Sequence, residues 1–315
     1  MSSSKKISGI VLKSTGSWYT VMNDEGEIVQ CKIKGKFKIS GIKSTNPIAV
    51  GDKVKYIKQE NEEIAVIDTI IPRENYIIRK STNLSKQTHI IAANIDHAFV
   101  VVTITQPRTS SGFIDRFLAT AEAYHIPSVL VFNKSDLNTT TENNTQKNLI
   151  KTYEEIGYTC IETSAITGLG LENLKDLMRN NTSLFSGHSG VGKSALVNAI
   201  QPGLKLKTSE ISDFNLKGKH TTTFAEMHPL HFGGFIIDTP GIKEFGLVDF
   251  EKQQLSDYFP EIRDRKHLCK FNNCLHYKEP QCAVKKALEN GEIAQSRFNN
   301  YLAILHDEEL DKKPY

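Results

Sequence analysis

One segment of the chain has the residues needed to hold a nucleoside triphosphate by its phosphates. It runs Gly187-His188-Ser189-Gly190-Val191-Gly192-Lys193-Ser194-Ala195 and fits the pattern G-x-x-x-x-G-K-S/T. In such a loop the backbone N–H groups surround the phosphates, Lys193 reaches the β- and γ-phosphates, and the Ser194 hydroxyl ligates Mg²⁺. Residues 182–186 before it are typical of a short strand and residues 195–200 after it of a helix, the context that a phosphate loop requires.

A second segment, Asn133-Lys134-Ser135-Asp136, has the N-K-x-D pattern that reads guanine. It follows the apolar run 128–132, which predicts a buried parallel strand. The Asp136 carboxylate can accept hydrogen bonds from N1–H and the exocyclic amine of guanine, a pair of donors that adenine does not offer. Ser164 and Ala165 follow the strand-like residues 159–162 and form the S-A element that supports the base in GTPases.

Two further segments predict a response to the γ-phosphate. Asp238-Thr239-Pro240-Gly241 fits D-x-x-G, in which Asp238 and Gly241 sense Mg²⁺ and the γ-phosphate. His220-Thr221-Thr222-Thr223 lies where the switch threonine belongs; we favour Thr222 without excluding its neighbours. The preceding residues 202–219 have no clear period and predict a loop, which loss of the γ-phosphate would release.

The order of these motifs is inverted. In an ordinary GTPase the phosphate loop comes first and N-K-x-D near the end, whereas here N-K-S-D precedes the phosphate loop. Alternating strands and helices from about residue 72 predict an α/β domain with a parallel, doubly wound sheet and ligands at the carboxyl ends of its strands. We therefore predict a circularly permuted P-loop GTPase domain, which is feasible where the original termini lie close together.

Several elements of that domain are predicted individually. A strand is expected over 95–103 and a helix over 111–124, with Phe113, Ile114 and Phe117 among the apolar residues on one face. The polar tract 138–144 predicts a surface loop, and residues 288–305 a helix.

The chain after D-T-P-G leads directly toward the C-terminal module, so nucleotide state is expected to alter the angle between the flanking modules.

Four residues near the C-terminus form a complete ligand set for zinc. Cys269, Cys274, His276 and Cys282 offer three thiolates and an imidazole, which suits one tetrahedral Zn²⁺ with no position left for water. We predict a structural zinc site within a small helical domain, with His267 as a competing histidine. The alternative is four residues that are unconnected in the fold. The basic surroundings of the cluster favour an RNA-binding element.

The N-terminal segment predicts an OB-type β-barrel. Five short strands fall within about 70 residues, separated by Gly, Asn and Asp turns. Five lysines at positions 32, 34, 36, 38 and 43 stand without an acid between Ile28 and Val50. They indicate either a solvated strand face or a nucleic-acid surface, and Trp18, Tyr19 and Phe37 could stack bases or belong to the barrel core.

Length and composition bound the remaining possibilities. The 315 residues have room for two or three domains, which we place at 1–72, 73–245 and 246–315. No stretch approaches the roughly 20 apolar residues that span a bilayer, and the N-terminus lacks the apolar core of a signal peptide. We therefore expect a cytoplasmic monomer with no membrane partner. Cys31 and Cys160 are expected to be buried apolar residues.

Together the barrel, the permuted motifs and the C-x4-C-x-H-x5-C tail resemble the bacterial ribosome small subunit-dependent GTPase A family (RsgA/YjeQ). The resemblance covers nearly the whole chain, including Arg297-Phe298-x-x-Tyr301. It implies a hydrolase that binds GTP and GDP, acts late in maturation of the 30S ribosomal subunit, contacts 16S rRNA and is stimulated by that subunit. It also implies that the GTP state controls the switch loops and association with the subunit.

The residue that activates water is not assigned by these motifs. Ras-like enzymes have a glutamine after D-x-x-G, whereas this chain has Ile242, and no histidine occurs among residues 243–250. His188 and His220 are near enough to consider but are equally consistent with loop residues. Two alternatives stay open: a nucleotide-gated RNA-binding protein with incidental hydrolysis, and a P-loop ATPase or small-molecule kinase, against which residues 133–136 argue.

Overall fold

The computed structural model describes residues 6–33, 47–58, 62–80, 88–204, 225–238 and 251–306. These residues divide into two compact units. One takes its described residues from 1–97, 174–185 and 200–246, and the other from 98–173, 186–199 and 247–315. The predicted domain boundaries at 72 and 245 stay predictions.

The described residues form strands and helices in the following order. The strands are β1 Lys6–Ser14, β2 Tyr19–Asn23, β3 Ile28–Ile33, β4 Lys53–Ile57, β5 Ala65–Ile70, β6 Tyr76–Lys80, β7 Thr88–Ala93, β8 His97–Val102, β9 Ser128–Phe132, β10 Thr159–Glu162, β11 Thr182–Ser186, β12 Glu226–Pro229 and β13 Phe235–Asp238. The α-helices are α1 Ser111–Ala123, α2 Thr140–Ile156, α3 Leu171–Met178, α4 Lys193–Ile200, α5 Pro260–Lys266, α6 Ala283–Glu289 and α7 Gln295–Leu305. Within these residues no helix has the length and apolar character required to cross a bilayer.

The N-terminal strands form a closed five-stranded barrel. They pair in the order β1-β2-β3-β5-β4, and β4 pairs again with β1 to close the cylinder. Burial alternates along β2 and β3, as it must where one face of each strand points inward. Tyr19, Cys31 and Tyr56 are fully buried in the barrel core, and burial raises the pKa of the Cys31 thiol to about 12. The barrel prediction is confirmed, and Tyr19 belongs to its core.

The same unit continues from the barrel into the strands that lead to the switch motifs. β1 pairs antiparallel with β12 at Lys13 and Glu226, whose side chains form an ion pair of 3.3 Å. β12 pairs antiparallel with β13, and β13 runs parallel to β11. The barrel therefore shares a sheet with the strand that enters the phosphate loop.

A β-hairpin follows the barrel where alternating strands and helices were expected. Strands β6 and β7 pair antiparallel. Arg73 precedes them and donates from Nε and Nη2 to both carboxylate oxygens of the buried Asp52, at 2.6 and 2.7 Å. This paired geometry fixes the chain at its exit from the barrel.

The second unit contains three parallel strands in the order β10-β9-β8. β8 and β9 are almost wholly buried apolar runs, as strands covered on both faces are. Ser110 caps α1 by accepting a hydrogen bond from the Phe113 N–H at 3.2 Å. The predicted strand at 128–132 is confirmed. The strand predicted over 95–103 and the helix predicted over 111–124 are also confirmed, each with slightly shorter bounds.

Two local predictions were wrong. The polar tract 138–144 is not a loop, because α2 begins at Thr140 with Thr139 and Glu142 forming a reciprocal capping box. The helix predicted over 288–305 is two helices, α6 and α7. Gly291, at φ +76°, lies between them, in a conformation that favours glycine and ends a helix.

Helices α5, α6 and α7 form a C-terminal module around an apolar core that also includes Ala119 of α1. Phe259, Ile262, Val284 and Tyr301 are among its fully buried residues, and Cys269 and Cys274 pack against this cluster. The four predicted zinc ligands therefore lie beside a packed core.

Candidate functional site

The predicted phosphate loop lies between β11 and α4, with its glycines in conformations that only glycine adopts easily. Gly187 has φ +136°, and a Cβ atom there would lie 2.4 Å from the Val101 carbonyl oxygen. Gly192 has φ +95°. Both positions therefore require glycine, and the backbone N–H groups between them are held in a tight turn before the start of a helix.

Lys193, the first residue of α4, closes over this loop. Its Nζ donates to the carbonyl oxygens of Gly187 and His188, each at 2.7 Å. Burial lowers the pKa of Lys193. Ser194 follows in the first turn of α4 and is half-buried, while Ser189, Gly190 and Ala195 are exposed. The arrangement presents a cation and a hydroxyl at the helix N-terminus, as phosphate binding requires.

The predicted base-reading segment is bound directly to the predicted phosphate loop. Asn133 is buried, and its Nδ2 donates to the Val191 carbonyl oxygen at 2.8 Å. The Asn133 Oδ1 accepts a hydrogen bond from the Thr163 Oγ1 at 3.1 Å. One side chain thus holds together the loops that begin at residues 133, 163 and 187, which are far apart in the chain.

The rest of this segment turns away from β9 into solvent. Lys134 has a left-handed conformation at φ +60°, and its Nζ donates to the Gln106 carbonyl oxygen at 2.6 Å. Asp136 is exposed in a single 3₁₀ turn. Gln146 of α2, which is buried, donates from Nε2 to the Ser135 Oγ at 3.1 Å. The turn that presents Asp136 is therefore supported from beneath.

The S-A element forms a second turn beside the first. Ser164 is fully buried, and its Oγ accepts hydrogen bonds from the N–H groups of Ile166 and Thr167 at 3.3 and 3.1 Å. The Ser135 N–H donates to the Thr163 carbonyl at 3.2 Å. Ala165 is half-buried at the tip of this turn.

The Mg²⁺ and switch residues are described only in part. The backbone of Asp238 ends β13, and the preceding residues pair in parallel register with β11. The D-x-x-G strand thus ends beside the strand that leads into the phosphate loop. Thr222 and Gly241 lie outside the described residues, as do His220 and Ile242.

Pro107 and Phe113 also lie beside the predicted phosphate loop, and no sequence motif indicates this. The ring of Phe113 on α1 packs on that of His188 with centroids 3.9 Å apart. Pro107 lies 3.4 Å from where a Cβ of Gly190 would be. His188 is thus in contact with an aromatic ring. An apolar face on α1 was visible in the sequence, but no spacing rule pairs residue 113 with residue 188.

The four predicted zinc ligands are brought together in the C-terminal module. Their ligand atoms all lie within 4.8 Å of one another. The His276 Nδ1 is 3.6 Å from the Cys269 Sγ and 3.4 Å from the Cys282 Sγ, and these two sulfur atoms are 3.9 Å apart. His276 provides the nitrogen; His267 is exposed at the end of α5.

The three distances among Cys269, His276 and Cys282 fit a tetrahedral zinc ion. Bonds of about 2.3 Å to sulfur and about 2.0 Å to nitrogen place sulfur atoms about 3.8 Å apart and sulfur and nitrogen about 3.5 Å apart. Cys282 also caps α6, since its Sγ accepts from the Lys285 N–H at 3.5 Å, and a helix N-terminus favours a thiolate. The cluster can hold one metal ion by its own geometry and donor types.

Two surfaces combine exposed aromatic rings with lysines. On the barrel, the Lys32 Nζ lies 4.0 Å above the ring of Trp18, which is 42% exposed. On the C-terminal module, the exposed rings of Phe271 and Tyr277 have Lys270 and Lys278 beside them. The lysines at 34, 36, 38 and 43, and Phe37, lie outside the described residues.

Comparison with known proteins finds two family models that match successive segments of the chain. The RsgA GTPase family model matches residues 70–248, and the RsgA N-terminal domain model matches residues 8–67. Proteins named small ribosomal subunit biogenesis GTPase RsgA are similar over nearly their full length. That of Flavobacterium psychrophilum is 55% identical, covering 96% of this chain and 94% of the relative. That of Christiangramia forsetii is 57% identical, covering 96% of each.

Solved structures give the same result for the fold. The crystal structure of YjeQ from Thermotoga maritima is 37% identical, with a TM-score of 0.81 over 98% of this chain and all of that one. YloQ, described as a circularly permuted GTPase, is 30% identical, with a TM-score of 0.75 over 99% and 97% of the two chains. The circularly permuted GTPase fold with an N-terminal barrel is therefore confirmed.

Proposed function

The chain belongs to the RsgA GTPase family, and from that membership we propose that it hydrolyses GTP in the late maturation of the 30S ribosomal subunit. The observation that carries this proposal at the site is the hydrogen bond from Asn133 to the Val191 carbonyl. It joins the guanine-reading loop to the phosphate loop. A single ligand that has a guanine base and phosphates can therefore bind both loops at once. A guanine nucleotide has both.

Residues of several motifs divide the binding of GTP and GDP between them. Asp136, presented by the turn that Gln146 supports, accepts from guanine, and Ser164 and Ala165 flank the base. The backbone of residues 187–195 and the Lys193 ammonium hold the phosphates. Asp238 and the Ser194 hydroxyl would hold Mg²⁺, with Thr222 and Gly241 completing the response to the γ-phosphate. Mg²⁺ bound there supplies charge neutralisation between the β- and γ-phosphates.

Activation of the attacking water is proposed to need the ribosomal subunit. The residue after D-T-P-G is Ile242, whose side chain has no hydrogen-bonding group to orient water. His188 is held against Phe113, and we assign it no role in proton transfer. Turnover by the protein alone is therefore expected to be slow, with the small subunit ordering the switch segments to complete the site.

The flanking modules are proposed to bind 16S rRNA. The Trp18–Lys32 pair on the barrel, and the Phe271 and Tyr277 rings beside lysines on the C-terminal module, offer stacking faces with positive charge, which suits unpaired nucleotides. One Zn²⁺ held by Cys269, Cys274, His276 and Cys282 would fix the fold of the second surface. We propose a monomer whose GTP state controls its association with the subunit.

Multiple-turnover GTP hydrolysis with and without purified 30S subunits tests this function. A slow rate that rises with added 30S subunits is expected. A rate from the protein alone that 30S subunits leave unchanged would contradict the proposal. Nucleotide-dependent 30S binding without stimulated turnover would instead support an RNA-binding protein with incidental hydrolysis. Competition by ATP as effective as that by GTP would support a P-loop ATPase or kinase.

A further inference from the structure

A buried ionic cluster binds the C-terminal module to helix α1. Arg297 of α7 is 1% exposed, and its Nη1 donates to the Asp115 Oδ1 at 2.7 Å. The same guanidinium donates to both oxygens of Glu261 on α5, at 2.7 and 3.1 Å. Asn300, one turn along α7, donates from Nδ2 to the Asp115 Oδ2 at 2.6 Å.

The side chains of Arg297, Asn300 and Tyr153 donate hydrogen bonds to the carboxylates of this cluster. Tyr153 of α2 donates its hydroxyl to the Asp115 Oδ1 at 2.8 Å, and Asp115 is fully buried. Burial raises the pKa of Asp115, although Arg297, Asn300 and Tyr153 all favour its ionised form. A buried carboxylate with this set of donors holds its helix in one place, because displacement would leave the charge without partners.

The opposite side of α1 contacts the nucleotide site. Phe113 precedes Asp115 by two residues, so the two side chains project roughly 200° apart around the helix. Phe113 packs on His188 in the phosphate loop at a centroid distance of 3.9 Å. Helix α1 is therefore in contact with the phosphate loop on one side and with the C-terminal module on the other.

We propose that Arg297 and Asn300 are positioning residues for nucleotide binding: by holding Asp115 they fix α1, and α1 fixes the phosphate loop through the contact between Phe113 and His188. The inference rests on the proposed guanine-nucleotide site and goes beyond it, because it assigns part of that site's affinity to a module that does not touch the nucleotide. Since coupling is reciprocal, nucleotide binding stabilises the packing of α7 against α1.

The alternative is that the cluster only stabilises the fold. A structural role predicts that variants lose stability or metal but, where folded, bind nucleotide as before. The two roles are separated by the affinity for a fluorescent analogue, mant-GDP, in the full-length protein. Zinc content and thermal unfolding are measured on the same samples, so that loss of fold is not mistaken for loss of coupling.

Asn300→Ala is the main variant, because it removes the hydrogen bonds from Nδ2 to the Asp115 Oδ2 and the Ser111 Oγ on α1 and keeps the Arg297 charge in place. Arg297→Lys is the stronger change, since one ammonium cannot reproduce the paired guanidinium contacts. If Arg297→Lys does not fold, Asn300→Ala decides alone. Arg263→Lys is the control: Arg263 also joins α5 to α1, through Glu122 at 2.8 Å, but is largely exposed.

Asn300→Ala is expected to weaken mant-GDP binding by about 2-fold to about 30-fold, the range for residues that transmit coupling, with zinc content unchanged. Arg263→Lys should leave the affinity as it is. Combining Asn300→Ala with Phe113→Leu should give less than the product of the single effects, because both act through α1. GDP should also slow amide hydrogen exchange in α7 of the wild type, and less so in Phe113→Leu.

Unchanged affinity in folded Asn300→Ala protein, or effects that multiply fully with those of Phe113→Leu, would overturn the proposal. A wild-type protein that does not bind mant-GDP would instead overturn the nucleotide site itself. The failure of the inference and the failure of the proposed function are therefore distinguishable.

Discussion

The side-chain amide of Asn133 donates to the backbone carbonyl of Val191 at 2.8 Å, which makes the base-reading loop and the phosphate loop parts of one structure. Asn133→Ala would leave that buried carbonyl without its donor, at a cost of about 1–3 kcal/mol. Affinities for GDP and GTP should both fall by about 5-fold to 150-fold, as measured by nucleotide titration. Asn144→Ala, at an exposed position in α2, is the control, and a loss confined to GTP would contradict this explanation.

The choice of base should depend on Asp136. Asp136→Asn replaces a carboxylate, which accepts two hydrogen bonds, by an amide with one acceptor and one donor group. Affinity for GDP should fall by about 10²-fold or more, while xanthosine diphosphate should bind more tightly than it does to the wild type. Competition of the two diphosphates against mant-GDP measures both changes. Unaltered binding of GDP would show that another residue reads the base.

The phosphate loop should not tolerate a side chain at residue 187. In Gly187→Ala the new Cβ would lie 2.4 Å from the Val101 carbonyl oxygen at a φ of +136°, so the loop must move away from β8. We expect mant-GDP binding to be lost. Gly26→Ala is the matched control, since it also has a positive φ but no atom within 4 Å of the new Cβ. Its strain should cost about 1 kcal/mol and leave binding intact; equal losses in both variants would contradict the prediction.

Binding of zinc should require the cysteines of the C-terminal cluster. The purified wild type should contain about one zinc ion per chain, and Cys274→Ser should lose it because three ligands bind far less tightly than four. Loss of metal should raise amide hydrogen exchange in α5, α6 and α7. Cys160→Ser is the matched control, because Cys160 lies in β10 outside the cluster. Elemental analysis showing full zinc in Cys274→Ser would rule out this ligand set.

The parts of the fold that were predictable from sequence are those with strong local signals. Each strand that leads into a nucleotide motif is short and has apolar residues at its centre or along its length, and β9 and β10 have the predicted bounds. The start of α2 was also encoded locally, in the pair Thr139 and Glu142. The polar composition of residues 138–144 predicts a loop, and that prediction is wrong because this capping pair starts a helix.

Contacts between distant residues left no such signal. Asp115 and Arg297 are separated by 182 positions. Arg297 belongs to the pattern Arg297-Phe298-x-x-Tyr301, but that pattern does not indicate Asp115 as its partner. The stacking of Phe113 on His188 is similar: apolar periodicity predicts that Phe113 lies on one face of a helix but does not indicate which residue contacts it. The motifs thus predict the residues that bind nucleotide, whereas the contact between α1 and the predicted phosphate loop is found only from the folded chain.

The pairing of β1 with β12 gives the N-terminal barrel a protective role. Without the barrel, β12 would be the outermost strand beside β13, with unpaired backbone groups open to another chain. With it, Glu226 is matched by Lys13 in both backbone register and charge. The barrel thus terminates a sheet that would otherwise offer a template for self-association. Expressing the remainder of the chain alone should therefore cost solubility before it costs catalysis.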